Sequence, residues 1–335
     1  MGLKHLLKRG ALLAAANWQA VAIQFVAEST FQVLLAVPII GASILVAVLL
    51  GADLAELLQG SLREIFTTIA GALVAEPVAF AAFLTAFAIV LLGGSVLTFL
   101  VKGGTMDVML AADAAAGAIE REPLTFDSLR DASAFTLERF TGGCRRLFRP
   151  YLRLGLLLVL VYGASGAAYI ALLVYGYRAA GSGAPLVGWT LVAALAAVGL
   201  VVWITIVNLV YLLLQIIIAV DGVGVLEGLR VVARFVRAEL AGLAGVFAVV
   251  LTLVVAAMLA SALAWSGVGL IAFVPVVGLA VLPLQMLWLL MRGFVFEYIG
   301  LTALGAYVAL YGGYAAKRQT VGRPAVASSP LGHPA

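Results

Sequence analysis

The sequence predicts an all-α integral membrane protein of about six transmembrane helices, with interfacial amphipathic helices and a weak internal tandem repeat. Composition is the first reason: of 335 residues, 64% are hydrophobic and 11% charged, and mean hydropathy is +1.18. Soluble domains carry about a quarter charged residues, so the solvent of this chain is lipid. The second reason is a succession of uncharged runs, each long enough for a hydrocarbon core of about 30 Å. The third is that the charged segments between these runs are amphipathic and that the basic ones alternate along the chain.

The chain opens with Lys4, Lys8 and Arg9 ahead of a run interrupted by Asn17, Trp18, Gln19 and Gln24. A signal peptide carries an unbroken apolar core before its cleavage site, so residues 1–29 are expected to form an N-terminal interfacial helix instead. A transmembrane domain is expected over residues 30–316, with its first span from Phe31 to Leu50. The acidic stretch that follows, with Asp53, Glu56, Glu64 and Glu76, repeats leucine and isoleucine at helical spacing and suggests an outer surface helix. Pro77 to Val101 holds no charge and makes the second span.

Residues 102–153 are the largest polar segment. An alanine-rich helix is expected from Asp107 to Glu120, then a helix capped at Thr125 or Asp127 and running to Phe140. Gly142-Gly143 is expected to break it before Arg145, Arg146, Arg149 and Arg153 gather at the mouth of the third span, Leu154 to Tyr177. After a Gly-rich turn, Leu186 to Val220 is uncharged. About 52 Å of helix at roughly 1.5 Å per residue is too long for an upright crossing, so this fourth span tilts, kinks near Gly199 or projects beyond the membrane. Leu240 to Trp265 is the fifth span. Pro275, Gly278 and Pro283 suggest a dipping segment before one last crossing, and residues 317–335 form a disordered tail.

Between the fourth and fifth spans, residues 221–239 form an amphipathic elbow. Leu226, Leu229, Val232, Val236 and Leu240 recur at steps of three and four, while Glu227, Arg230, Arg234 and Arg237 occupy the other side. A helix at a bilayer surface has this pattern, with arginines near headgroups and each adding about 1 kcal/mol of attraction to an anionic leaflet. A helix packed on its protein neighbours is the other reading. Aligning Asp127-Ser128-Leu129-Arg130 with Glu227-Gly228-Leu229-Arg230 also superposes Phe135 on Phe235 and Gly142 on Gly242, which suggests a tandem repeat of one orientation.

Asp221-Gly222-Val223, Glu227-Gly228-Leu229-Arg230, Phe235 and the segment from Tyr311 to Arg318 together resemble the membrane domain found with glycerophosphoryl diester phosphodiesterases and related bacterial six-helix families. The resemblance implies a six-helix membrane bundle. It implies no catalytic residue here, because in that family the phosphodiesterase chemistry sits in a separate soluble domain, which is not expected in this chain.

Charge sorting sets an expected orientation. With residues 102–153, 221–239 and both termini placed in the cytoplasm, Arg63, Arg178 and Arg292 alone of the 20 Lys plus Arg fall elsewhere. The basic residues lie beside apolar spans, so nucleic acid is not an expected partner. The arginines 145, 146, 149, 153, 230, 234 and 237 are candidate contacts for lipid or protein, with a pure orientation signal as the alternative. Asn208, Gln215, Gln285, Arg292 and Glu297 are the candidate cavity-lining groups, because polar side chains at membrane depth are costly and face a bundle interior, with an interfacial break in the final helix as the alternative for Arg292 and Glu297. Asn208 and Gln215 share a helix face and also suit inter-helix hydrogen bonding.

A lone Cys144, and histidines only at positions 5 and 333, leave neither a disulfide nor a metal cluster to build. No phosphate loop, aspartyl-protease or serine-histidine pattern is present, so neither cofactor nor catalysis is expected. The expected function is a non-enzymatic scaffold or accessory subunit of the bacterial inner membrane, contacting lipids and a membrane-protein partner or a second copy. The alternative is a lipid or small-molecule transporter with a cavity between repeat halves.

Overall fold

The computed structural model describes residues 2–50, 71, 76–123, 125–272 and 275–322. Its helices are α1 (Leu3–Ala16), α2 (Trp18–Leu50), α3 (Pro77–Ala115), α4 (Phe126–Asp131), α5 (Leu137–Ala180), α6 (Ala184–Asp221), α7 (Val225–Ala272) and α8 (Pro275–Gly322). The fold is all-α, and among the described residues six helical segments are long and apolar enough to cross a membrane. They are Trp18–Gly41, Phe80–Ala115, Leu137–Ala180, Ala184–Asp221, Val225–Ser266 and Pro283–Gln319. The expected surface helix between positions 52 and 76 and the expected disorder of the tail lie outside the described residues, apart from isolated positions and the helical segment ending at Gly322.

The chain forms two compact units, one of Met1–Val21 with Gly103–Ala335, the other of Ala22–Lys102. Within the second, the Phe31 ring of α2 lies on Gly94 of α3, where a side chain would collide with it. Within the first, burial is concentrated at one pole. Met106 and Met109 near the end of α3, Leu147, Tyr151 and Leu154 near the start of α5, and Leu213, Ile216 and Ile217 near the end of α6 are all buried. So are Val232, Phe235 and Leu243 at the start of α7 and Leu301, Tyr307 and Tyr311 toward the end of α8. Helices that alternate in direction bring these ends together. Away from the pole, Val159, Leu160, Leu195, Val201, Leu259 and Leu263 remain exposed. Lipid tails are as apolar as leucine, so such surfaces gain little from packing together and suit the bilayer.

The N-terminal expectation needs correction. The helix breaks at Asn17, well before position 29, and α2 continues from Trp18 through Pro38 to Leu50. Nor does α1 lie on lipid along its length, because Leu6 and Leu13 are fully buried. It crosses α8 at glycine, where a Cβ on Gly10 would strike the backbone carbonyl of Thr302 and one on Gly305 would reach 3.0 Å from the Gly10 Cα.

The polar segment also departs from expectation. The second span does not stop at Val101 but runs unbroken to Ala115. Thr125 does cap a helix, through a reciprocal capping box with Ser128, but α4 is short and ends at Asp131. A new helix starts after Thr136 and passes straight through Gly142-Gly143 and Pro150. These glycines do not break it. A Cβ on Gly143 would lie 2.9 Å from the Gly103 carbonyl oxygen and 3.2 Å from the Gly104 Cα, so the missing side chain lets α5 close onto α3.

In α6 the long fourth span is one helix without a break at Gly199, and its final turns, from Leu213 to Ala219, are enclosed by protein. Gly222, at φ 67°, ends it, with its N–H on the Ile218 carbonyl at 3.1 Å. The elbow then forms as the first turns of α7 and bends into the fifth span at Glu239, whose φ and ψ of −124° and 30° are not helical. Pro275 to Gly322 is a single helix through Pro283, so the described part of the last segment holds no separate dipping element.

Candidate functional site

The pole is organised by three sets of contacts made over long sequence distances. In the first, Arg9 of α1 reaches the last turn of α3 and the loop that follows it. Its Nε donates to Asp113 Oδ1 at 2.6 Å and one terminal nitrogen to Glu120 Oε2 at 2.8 Å, while the carbonyl oxygens of Gly117 and Asp113 accept at 2.6 and 2.7 Å. Burial opposes the charge on Arg9, and the bonds and field of Asp113 and Glu120 outweigh it and raise its pKa. Burial likewise works against the Glu120 carboxylate. Its own backbone N–H, Arg9 and the nearby Arg121 prevail and hold it below its ordinary value.

In the second set, Asn17, fully buried at the α1–α2 break, holds the segment between α4 and α5. Its Nδ2 donates to the Leu13 and Ala132 carbonyls at 2.9 and 3.2 Å, and its Oδ1 accepts from the Ala134 N–H at 2.8 Å. In the third, Tyr311 of α8 donates to Asp221 Oδ2 at 2.6 Å, and its ring meets Phe235 edge-on with centroids 5.1 Å apart. Lys317 reaches Glu239 at the bend in α7, at 2.8 Å.

Arginines line the outside of this core. On α5, the stripe Phe140, Gly143, Leu147, Tyr151, Leu154 is buried. Arg145, Arg149 and Arg153 recur every fourth residue on an exposed row. Arg146 is drawn away from that row by an ion pair with Asp107 of α3. The sequence cluster is thus one structural arginine and three whose side chains face outward with no ion pair among the described residues.

The elbow resolves into three sectors. Gly228, Val231, Val232 and Phe235 are buried against the protein. Next to them, Leu226, Ala233 and Leu240 are exposed, Leu226 by 77%. Beyond these come Arg230, Arg234 and Arg237, also exposed. Packing on neighbours and facing a bilayer surface are therefore properties of different sides of one helix, because the apolar arc is wider than the protein covers.

The expected cavity-lining groups do not meet in one cavity. Asn208 accepts a hydrogen bond from Tyr162 across the α5–α6 seam. Gln215 is buried in the same seam, where its backbone carbonyl accepts from Tyr151 at 3.0 Å. A cavity of about 400 Å³ runs beside these groups, yet its walls include Leu157, Val161, Trp203, Val207, Tyr211 and, from the elbow, Leu229. Arg292 lines a different cavity, of about 290 Å³, with residues of α7 and with Trp288. Gln285 and Glu297 line neither.

Sequence reasoning missed Arg9, Asn17 and Tyr311 as organising residues. The available signals were a charged residue on the apolar face of a predicted helix, an asparagine interrupting a hydrophobic run, and tyrosine at the boundary of a span. No family model matches the chain, and neither curated proteins nor solved structures provide a match.

Proposed function

We propose that the protein is a non-catalytic scaffold or accessory subunit of a complex in the bacterial inner membrane, with the arginine-bearing pole and both termini in the cytoplasm. It binds anionic lipid and a membrane-protein partner or a second copy through the exposed sides of the elbow and of α5. One observation supports this above others: Leu226, Ala233 and Leu240 lie uncovered directly beside Arg230, Arg234 and Arg237 on the elbow. A soluble face would not keep leucines there, and a purely structural helix would not set unpaired arginines next to them. The resemblance to the membrane domain accompanying glycerophosphoryl diester phosphodiesterases fits the same role, since that domain carries no chemistry itself.

The test is purification of the full-length chain from native membranes in mild detergent. A partner or second copy in fixed ratio is expected, and replacing Arg230, Arg234 and Arg237 together with glutamine should reduce its recovery several-fold. Recovery of a solitary chain, unchanged by the substitutions, would argue against the reading. Reporter fusions at Arg146 and Arg237 should fall in one compartment.

The apolar cavity between α5 and α6 favours a second reading, lipid transport. Its walls suit an acyl chain rather than a polar solute. Transfer of labelled phospholipid between vesicles by the reconstituted protein, lost on Val207→Trp, would favour it over the scaffold.

A further inference from the structure

We propose that the cavity between α7 and α8 walled by Ser261, Trp288 and Arg292 binds the phosphodiester of a phospholipid in the leaflet opposite the arginine pole. The remaining walls are Met258, Ala262, Trp265 and Leu289. Three features of the cavity fix the ligand class.

The polar groups are donors. A guanidinium and an indole N–H offer hydrogen bonds and accept none, and the serine hydroxyl does either. The indole Nε1 of Trp288 is enclosed and meets no acceptor among the described residues. A buried donor left without a partner is costly, so an acceptor is expected to complete it. No carboxylate among the described residues forms an ion pair with Arg292, whose guanidinium lies 5.7 Å from the centroid of the Phe296 ring. That stacking steadies the guanidinium while leaving its donors for an oxyanion, which it binds through paired N–H groups.

Depth identifies the source of that oxyanion. From Tyr311, tied to Asp221 at the pole, to Arg292 is about 28 Å of helix, and from the bend at Glu239 to Ser261 about 33 Å, at roughly 1.5 Å per residue. Both walls therefore reach the far edge of a hydrocarbon core about 30 Å thick, where headgroup phosphates lie. Two tryptophans border the cavity, as suits the membrane–water boundary. Access is from lipid, because Leu259, Leu263 and Leu290 on the same two helices are exposed by 61%, 74% and 54%. Arg292 is then an interfacial charge with a ligand to hold.

The full-length protein in mild detergent, titrated with dioctanoyl phosphatidylglycerol and followed by native mass spectrometry, tests this. One lipid is expected to bind ahead of the rest. Arg292→Gln should weaken that first binding about tenfold or more, and Trp288→Phe, which deletes a single N–H, by a smaller factor. Replacing Gln285, which lines neither cavity, with alanine should leave it unchanged. If Arg292→Gln does not elute as a single species, Trp288→Phe decides alone. Equal first-lipid affinity in wild type and both cavity variants would overturn the proposal. So would loss of that binding on substitution of the pole arginines, or its displacement by millimolar inorganic phosphate, which would assign the cavity to a free anion. None of these outcomes depends on whether the elbow binds a partner.

Discussion

The elbow around Glu227 and the segment around Asp127, aligned above on a short shared pattern, have different architectures. Around Asp127 and Arg130 the chain makes one short helix, stops, and starts again at Leu137. Around Glu227 and Arg230 it makes one continuous helix that bends at Glu239. The difference follows from what holds each. The first is clamped through backbone groups, since Asn17 takes both the Ala132 carbonyl and the Ala134 N–H and so stabilises an unwound strand of chain. The second is clamped through side chains, with Phe235 against Tyr311 and Tyr314 and Glu239 against Lys317, which leaves its backbone free to complete a helix. Phe135, the counterpart of Phe235, meets Phe140 of its own neighbourhood instead. Similar short patterns thus take different shapes because their remote partners differ.

Removing each clamp probes the contrast, beginning with the one that loses most. Arg9→Leu strands Asp113 and leaves the buried Glu120 only the more distant Arg121, at 3.9 Å. It should cost about 3–5 kcal/mol, the range for breaking a buried ion pair, seen as a large fall in the thermal midpoint in detergent. Asn17→Ala orphans a buried N–H and carbonyl. It should cost about 2–3 kcal/mol and open residues 132–136 to limited proteolysis, while cleavage near the elbow stays at the wild-type rate. Tyr311→Phe keeps the aromatic cluster and deletes one hydrogen bond to a carboxylate, so a loss of about 1–2 kcal/mol with no new cleavage at residues 132–136 is expected. If Tyr311→Phe loosened both segments equally, the idea of separate clamps would fail.

The smallest effect is one of pH. Glu120 has a lowered pKa in the folded protein, so its ionised form contributes stability above the ordinary glutamate range, and that contribution is lost as pH falls through the folded value. Arg9 stays charged throughout. Acidification from pH 7 toward pH 3 should therefore destabilise the wild type more steeply than Glu120→Gln, measured as the slope of thermal midpoint against pH.

The spans were legible because a run such as Leu186 to Val220 needs no partner to declare itself; lipid is the partner. The elbow helix was legible for a related reason, since its period is local. What sequence did not reveal depends on residues far apart in the chain. Gly142-Gly143 has the composition of a helix breaker, and only the approach of Gly103 and Gly104 explains why Gly143 is glycine inside a helix. Arg9 has the composition of an orientation signal, and its carboxylate partners lie more than a hundred residues on. Of the candidate cavity set, the Asn208 side chain meets Tyr162 across the α5–α6 seam, the role that side-chain hydrogen bonds between membrane helices ordinarily play, worth about 0.6 kcal/mol.

The crossing of α1 over α8 at Gly10 and Gly305 also constrains how the molecule is made. Synthesis delivers α1 long before α8, so the earlier helix waits, with Leu6 and Leu13 unsheltered, while the spans between them are threaded. Closure of the pole is therefore gated by synthesis of α8, and a ribosome that stalls before Leu301 leaves α1 without the helix it closes upon.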